Sequence, residues 1–344
     1  VAMLPWMFLP NFDITRYNVK QLHNISPGCG RSNGMTDDTQ RFRARFWGVR
    51  GSYPTPGPRT VRYGGNTSCV EVEVGSQTII LDAGSGIIKL GHDLLRRSAG
   101  EQLNVSLFIT HGHGDHLVGL PFFSPLYEQR ACIDFFGPRL DDRSIEQLVT
   151  PLMSQPYFPV DIRKLPSRRA FHTLDGNEHV LWRKGESEPM LAHEASPPHD
   201  GDICVSVILT NSHPLNGAAV YRIEYAGHSL VFATDVEWKE QCEPAFLAFV
   251  DKADVLIHDA QYTNSDYEQA RQGFGHSTIK MATDVAREAQ VGQLILFHHE
   301  PTYDDDKLDA MQAAARTLFP RAYSAYEGME IDLLMDGPTR GKQW

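Results

Sequence analysis

From Phe42 onward the chain alternates: Phe42, Ala44, Phe46 and Gly48 interleave with Arg43, Arg45 and Trp47, which predicts a strand with one face toward a core. Cys69-Val-Glu-Val-Glu-Val74 and Thr78-Ile-Ile-Leu81, separated by Gly75-Ser-Gln, predict a hairpin. Asp82-Ala-Gly-Ser-Gly86 ends its second strand, a helix is expected over 87–97, and the apolar stretch Val105-Ser-Leu-Phe-Ile109 reads as the next strand. The same order returns in the second half. Ala218-Ala-Val-Tyr-Arg-Ile-Glu-Tyr225, the turn Ala226-Gly-His228 and Ser229-Leu-Val-Phe-Ala233 form a hairpin that ends on Asp235. After it come a helix at 243–250, the strand Asp254-Val-Leu-Ile257, a helix ending near Ala289, the strand Gln293-Leu-Ile-Leu-Phe297 and a last helix over 306–318.

Two β-rich halves with helices outside predict an α/β protein, a four-layer αβ/βα sandwich. Residues 1–42 lack sustained periodicity and read as an extension or linker, 43–337 as one catalytic domain and 338–344 as a tail. Within the domain, 161–202 is rich in charge, proline and histidine and reads as an irregular excursion near a cleft mouth.

Composition narrows the partners. With 32 Lys and Arg against 43 Asp and Glu, the formal charge of −11 weighs against a surface that neutralises many phosphates, so no long nucleic acid is favoured while a small anion remains compatible. The five cysteines are odd in number and scattered without CxxC spacing, which indicates neither a disulfide framework nor a zinc knuckle and fits a reducing cytoplasm. No stretch approaches the ~18 apolar residues of a membrane span. The opening Val1 to Leu9 is apolar but interrupted by Pro5 and lacks a basic leader, so it reads as a docking arm or expression remnant rather than a signal peptide.

The chemistry concentrates in Thr110-His-Gly-His-Gly-Asp-His-Leu-Val-Gly119. His111, His113, Asp115 and His116 offer more ligand groups than one zinc ion can use from so short a loop, so two metals are the economical reading. The glycines between them let the backbone approach without a Cβ clash. Ligand-type residues follow strands at four places, near 110, 234, 258 and 298, which suggests strand ends converging on one cleft. A dinuclear hydrolase is expected.

The HxHxDH run at 111–116, the LDAG segment at 81–84, Asp235 after a strand and His298 closing Leu294-Ile-Leu-Phe-His298 together resemble the metallo-β-lactamase superfamily. Three further features are similar to its phosphodiesterase branch, which contains tRNase Z: His213 ahead of Ala219-Val-Tyr-Arg-Ile223, the pair His258-Asp259 and His276-Ser-Thr278. The resemblance covers about residues 43 to 336. It implies that His111, His113 and His213 hold one divalent ion, that Asp115, His116 and His298 hold another, and that Asp235 bridges both. Zinc suits this donor set best, with manganese or iron as alternatives. It also implies catalytic roles for Asp115, for His276 as the group facing the leaving oxygen, and for Asp259 as the carboxylate that orients His276. Asp82 reads as an acceptor behind a metal-bound histidine or loop amides, or as a turn aspartate. His299 is expected to point away from His298.

Arg62-Tyr-Gly-Gly-Asn-Thr67 resembles a stretch of small bacterial phosphodiesterases of the same fold, some acting on cyclic nucleotides. Neither a basic exosite nor a Gly/Pro-rich protruding arm is visible in the sequence. The expected substrate is therefore a small phosphodiester, a 3′,5′-cyclic nucleotide first, with a tRNase Z-like RNA endonuclease or a lactone or thioester hydrolase as alternatives. By analogy the protein is expected to form homodimers.

Overall fold

The structure is a computed structural model that describes residues 41–193, 199–214, 217–238, 242–335 and 338–339. The proposed extension at 1–42, apart from its last two residues, and the apolar opening segment lie outside the described residues. In the first half, β1 (Phe42–Gly48), β2 (Cys69–Val74), β3 (Gln77–Leu81), α1 (Gly86–Arg97), β4 (Leu103–Phe108), β5 (Ala131–Pro138), α2 (Ile145–Val149) and β6 (Arg168–Leu174) follow one another. The second half holds β7 (His179–Trp182), β8 (Met190–Ala192), β9 (Ile203–Thr210), β10 (Ala218–Tyr225), β11 (His228–Ala233), α3 (Pro244–Val250), β12 (Val255–Asp259), α4 (Asn264–Ala270), α5 (Ile279–Glu288), β13 (Gln293–Phe297), α6 (Asp305–Leu318) and β14 (Ala322–Ser324). The chain then returns to the first sheet as β15 (Glu330–Asp332) and β16 (Pro338–Thr339).

Two sheets result, ordered β16-β15-β1-β2-β3-β4-β5-β6 and β14-β13-β12-β11-β10-β9-β7-β8. Their inner faces share one core in which Phe42, Phe46, Phe108, Phe136, Trp182, Tyr221, Phe232 and Phe297 are buried. The outer face of the first sheet packs on α1 and α2 through Ile80, Leu90, Leu94, Leu107, Ile145 and Val149. The outer face of the second carries α3, α5 and α6 through Val231, Phe246, Leu256, Ala282, Leu294 and Leu308. Helix, sheet, sheet, helix is the expected four-layer order. It exists because strands buried on both faces, such as Gln293-Leu-Ile-Leu-Phe297, need cover on both sides.

The segment 161–202 departs from expectation: it contributes β6, β7 and β8, the strands that finish one margin of each sheet. β6 pairs only with β5 and stays half-exposed along most of its length, so Arg168-Arg-Ala-Phe-His-Thr-Leu174 carries charge where an inner strand would be apolar. Sheet margins tolerate such polarity, which hides them from a search for alternation.

Candidate metal centre

Seven chain segments deliver the candidate residues at one end of the sandwich: the loop before α5 brings His276, and six strand ends bring the others. Asp82 follows β3, the 111–116 run follows β4, His213 follows β9, Asp235 follows β11, Asp259 ends β12 and His298 follows β13. β3 to β4 and β11 to β13 are parallel, so these ends point the same way within each sheet. Asp82, Asp235 and His298 adopt left-handed backbone, with φ of 63°, 57° and 61°. A non-glycine residue held in so sparsely populated a conformation costs about 1–3 kcal/mol. All three deliver their side chains to the same cluster.

His111, His113, His213 and Asp235 offer donor atoms within 4.8 Å of one another, and so do Asp115, His116 and His298. In the first set His113 Nδ1 stands 3.0 Å from His213 Nε2. In the second, His116 Nε2 stands 3.2 Å from His298 Nε2, and Asp115 Oδ2 is 3.1 Å from His298 Nε2. Asp235 faces both. Its Oδ1 lies 3.6 Å from His111 Nε2 and 3.7 Å from His213 Nε2, while its Oδ2 lies 3.2 Å from His116 Nε2 and 3.4 Å from His298 Nε2.

The protons of these rings are assigned by what stands behind them. His213 Nδ1 is 2.9 Å from the Gly275 carbonyl, which can only accept, so Nδ1 carries the proton and Nε2 is a bare lone pair. His116 Nδ1 donates to Asp82 Oδ2 at 2.7 Å, and His298 Nδ1 donates to Gln261 Oε1 at 3.0 Å. His111 Nδ1 donates to Thr110 Oγ1 at 3.1 Å, because that hydroxyl is itself spent on Asp82. Its buried Nε2 has no hydrogen-bond partner. His116 Nε2 and His298 Nε2 therefore face each other across 3.2 Å, a separation that calls for a proton or a cation between them. Imidazole nitrogens and carboxylate oxygens, anchored from behind, fit divalent zinc, manganese or iron.

The electrostatics agree. Burial pushes His111 and His213 down, which keeps these rings neutral. Burial acts the same way on His116, but Asp235, Asp115 and Asp82 override it and carry it well above its ordinary value. Asp235 would be raised by burial, yet His298, His116 and His111 hold it well below the usual carboxylate range. The buried carboxylates thus draw positive charge to the cluster, which His116 carries as a proton where a divalent cation would otherwise stand.

Beside the cluster, His276 Nδ1 is 2.8 Å from Asp259 Oδ2, and its ring stacks on His298 with centroids 4.8 Å apart. Burial lowers the His276 pKa, but Asp259 outweighs that and lifts it to about 9. Asp259 is not spare for a metal. Its Oδ1 accepts from the Gln261 and Ser277 amides at 3.1 Å each, and its Oδ2 also accepts from the Asp235 amide at 3.1 Å. Asp115 Oδ2 is fixed by the Ser52 amide at 2.7 Å.

The structure thus brings together His111, His113, Asp115, His116, His213, Asp235, Asp259, His276 and His298. His299 turns away, its Nε2 2.9 Å from the Ala325 carbonyl. His172 and His179 pair elsewhere, with Asp134 and Ser206. Asn66 and Thr67 hold Glu327 and Ser85 and serve the fold. Sequence reasoning missed Thr110 and Gln261 behind the rings, and it missed Glu237. That buried carboxylate accepts from Tyr267 Oη at 2.6 Å, Gly273 N at 2.7 Å and Gly275 N at 2.9 Å, fixing the loop whose carbonyl holds His213. No local pattern marks it; a lone acidic residue four positions beyond the end of β11 carries no signal of its own.

Residues 77–299 match the family described as the beta-lactamase superfamily domain. The chain belongs to the metallo-β-lactamase superfamily. Among relatives of this superfamily member, ribonuclease Z of Thermoplasma acidophilum is 25% identical over 316 residues, 85% of this chain and 96% of its own. Ribonuclease Z of Haloarcula marismortui is 28% identical, covering 87% of this chain and 96% of the relative. The fold is shared with the metallo-β-lactamase fold protein YhfI from Bacillus subtilis (TM-score 0.60, 18% identity, 85% of this chain and 99% of that one). It is shared equally with human tRNase Z, short form (TM-score 0.55, 17% identity, the same coverages). The superfamily member is a metal-dependent hydrolase acting on phosphodiesters.

These relatives overturn the expectation that long nucleic acid is disfavoured, and they lend no support to a cyclic nucleotide. The physical reason is that net charge sums the whole surface, whereas binding reads the local field. Local balance differs from the sum, as at Glu73 between Arg43 and Arg97, and a formal sum leaves out bound divalent cations.

Proposed function

We propose that this protein is a ribonuclease Z-like phosphodiesterase that cuts RNA at a candidate dinuclear centre. The relatives supply the substrate class, and one observation carries the chemistry: Asp235 turns one oxygen to each of two donor sets whose lone pairs converge. In this reading His111, His113 and His213 would hold one ion and Asp115, His116 and His298 the other, with Asp235 presenting an oxygen to each set. When bound, divalent ions supply Lewis acidity toward phosphoryl oxygens and lower the pKa of water.

The chain's own residues do the rest. Asp82, Gln261, Thr110 and the Gly275 carbonyl hold the rings in the tautomer that presents a lone pair. His276, whose pKa Asp259 lifts to about 9, is doubly protonated: Nδ1 donates to Asp259, and the proton on Nε2 passes to the leaving alkoxide. Bound cations would lower that pKa by like-charge repulsion, toward the range where such a proton can be both held and released.

The test is metal analysis and cleavage of a transfer-RNA precursor by zinc- or manganese-loaded protein, beside cAMP and cGMP. Cleavage of the precursor is expected, with His276→Ala losing about 10²–10⁴-fold in kcat while keeping its metal. Hydrolysis of a cyclic nucleotide with an untouched precursor overturns the reading.

A further inference from the structure

A cavity of about 150 Å³ opens beside the cluster, lined by His111, His113, Leu140, Arg143, Leu148 and Pro214, among others. Its wall is built with care. Leu140 and Arg143 exchange backbone hydrogen bonds of 3.1 and 2.8 Å around Asp141 and Asp142, which both adopt left-handed backbone, φ 47° and 60°. Two positive φ values at the centre of a two-residue turn normally call for Asn or Gly, so a strained turn is what sets Arg143 at this mouth. Its neighbour Arg139 is tied to Asp175 at 2.8 Å, but the Arg143 guanidinium has no hydrogen-bond or ion-pair partner among the described residues. Leu140, Leu148 and Pro214 make the opposite character, an apolar wall beside a bare cation. Gly112 leaves the space open, since a Cβ there would meet nothing closer than Leu148 Cδ2 at 3.7 Å.

We propose that this cavity is the binding site for the nucleoside flanking the scissile phosphate, with Arg143 paired to the next phosphate along the strand. The proposal rests on the RNA reading above. Because His111 and His113 belong to both the cavity and the cluster, an occupant of the cavity is a direct continuation of a phosphodiester held at the cluster. The apolar wall accepts a base face, and a guanidinium with no partner among the described residues matches phosphate geometry.

Zinc-loaded wild type, Arg143→Gln and Leu148→Trp are compared on a transfer-RNA precursor over a range of salt, with bis(p-nitrophenyl) phosphate in parallel. Arg143→Gln is expected to raise KM for RNA about tenfold and to lower the slope of log kcat/KM against log salt by about 1, with kcat and the small diester unchanged. Leu148→Trp, which fills the cavity, is expected to raise KM for RNA with the salt slope kept. An active wild type that Arg143→Gln matches in KM and salt slope overturns the subsite alone. Equal loss by Arg143→Gln on RNA and on the small diester overturns it too. A wild type that hydrolyses the small diester but leaves RNA intact overturns both the subsite and the RNA reading.

Discussion

At the scale of single residues, Asp82 shows how a side chain that touches no substrate can govern those that do. It accepts from Thr110 N at 2.8 Å and from His116 Nδ1 at 2.7 Å, and tautomer assignment in the second donor set depends on it. Asp82→Asn keeps the left-handed backbone, which Asn tolerates. Its amide can donate to Nδ1 and drive the proton to Nε2, blocking the donor atom. Metal affinity measured by chelator competition should fall about 10–100-fold with the far-ultraviolet spectrum unchanged. Undiminished affinity would show that His116 does not need this partner. The primary residues were legible because chemistry crowds them: four titratable groups within 111–116 have no reason to be adjacent in a core. Thr110, Gln261 and Glu237 were not, because each acts through a fold-dependent contact with a residue distant in sequence or ordinary in type.

At the scale of elements, strands and helices do more than frame the cleft. Thr278 caps α5, its side chain accepting from Met281 N, and the turn it starts holds Ser277 and His276 against Asp259. His276 thus stands two residues before a helix cap, and the turn that starts α5 also fixes its place beside Asp259. Thr278→Ala should cost about 1 kcal/mol of stability in denaturant unfolding. A larger drop in kcat than in stability would mean that the cap also aims the imidazole. The hairpins and the strand before His298 were visible because their alternation or continuous apolarity matches burial on one or both faces. β6 and β8 were not, since half-exposed margins pay no penalty for polar residues.

At the scale of the whole molecule, the buried carboxylates of the two donor sets, matched only in part by a proton on His116, leave a need for positive charge that bound cations would meet. Ions that bind only the folded chain stabilise it by about 2.7 kcal/mol at a hundredfold excess over Kd. Removing them with a chelator should lower Tm by several degrees, recovered on adding zinc, and scanning calorimetry would register it. An unchanged Tm would mean that the rings relax apart at no cost. The sandwich itself was legible because the strand-helix grammar repeats in both halves, whereas the expectation against long nucleic acid failed because total charge is blind to where charge stands.

The candidate donors run from position 111 to position 298, and neither sheet carries a full set. A nascent chain that has not yet reached His298 therefore lacks one ligand-type residue of the second set, and the centre we propose can assemble only once the ends of both sheets have met.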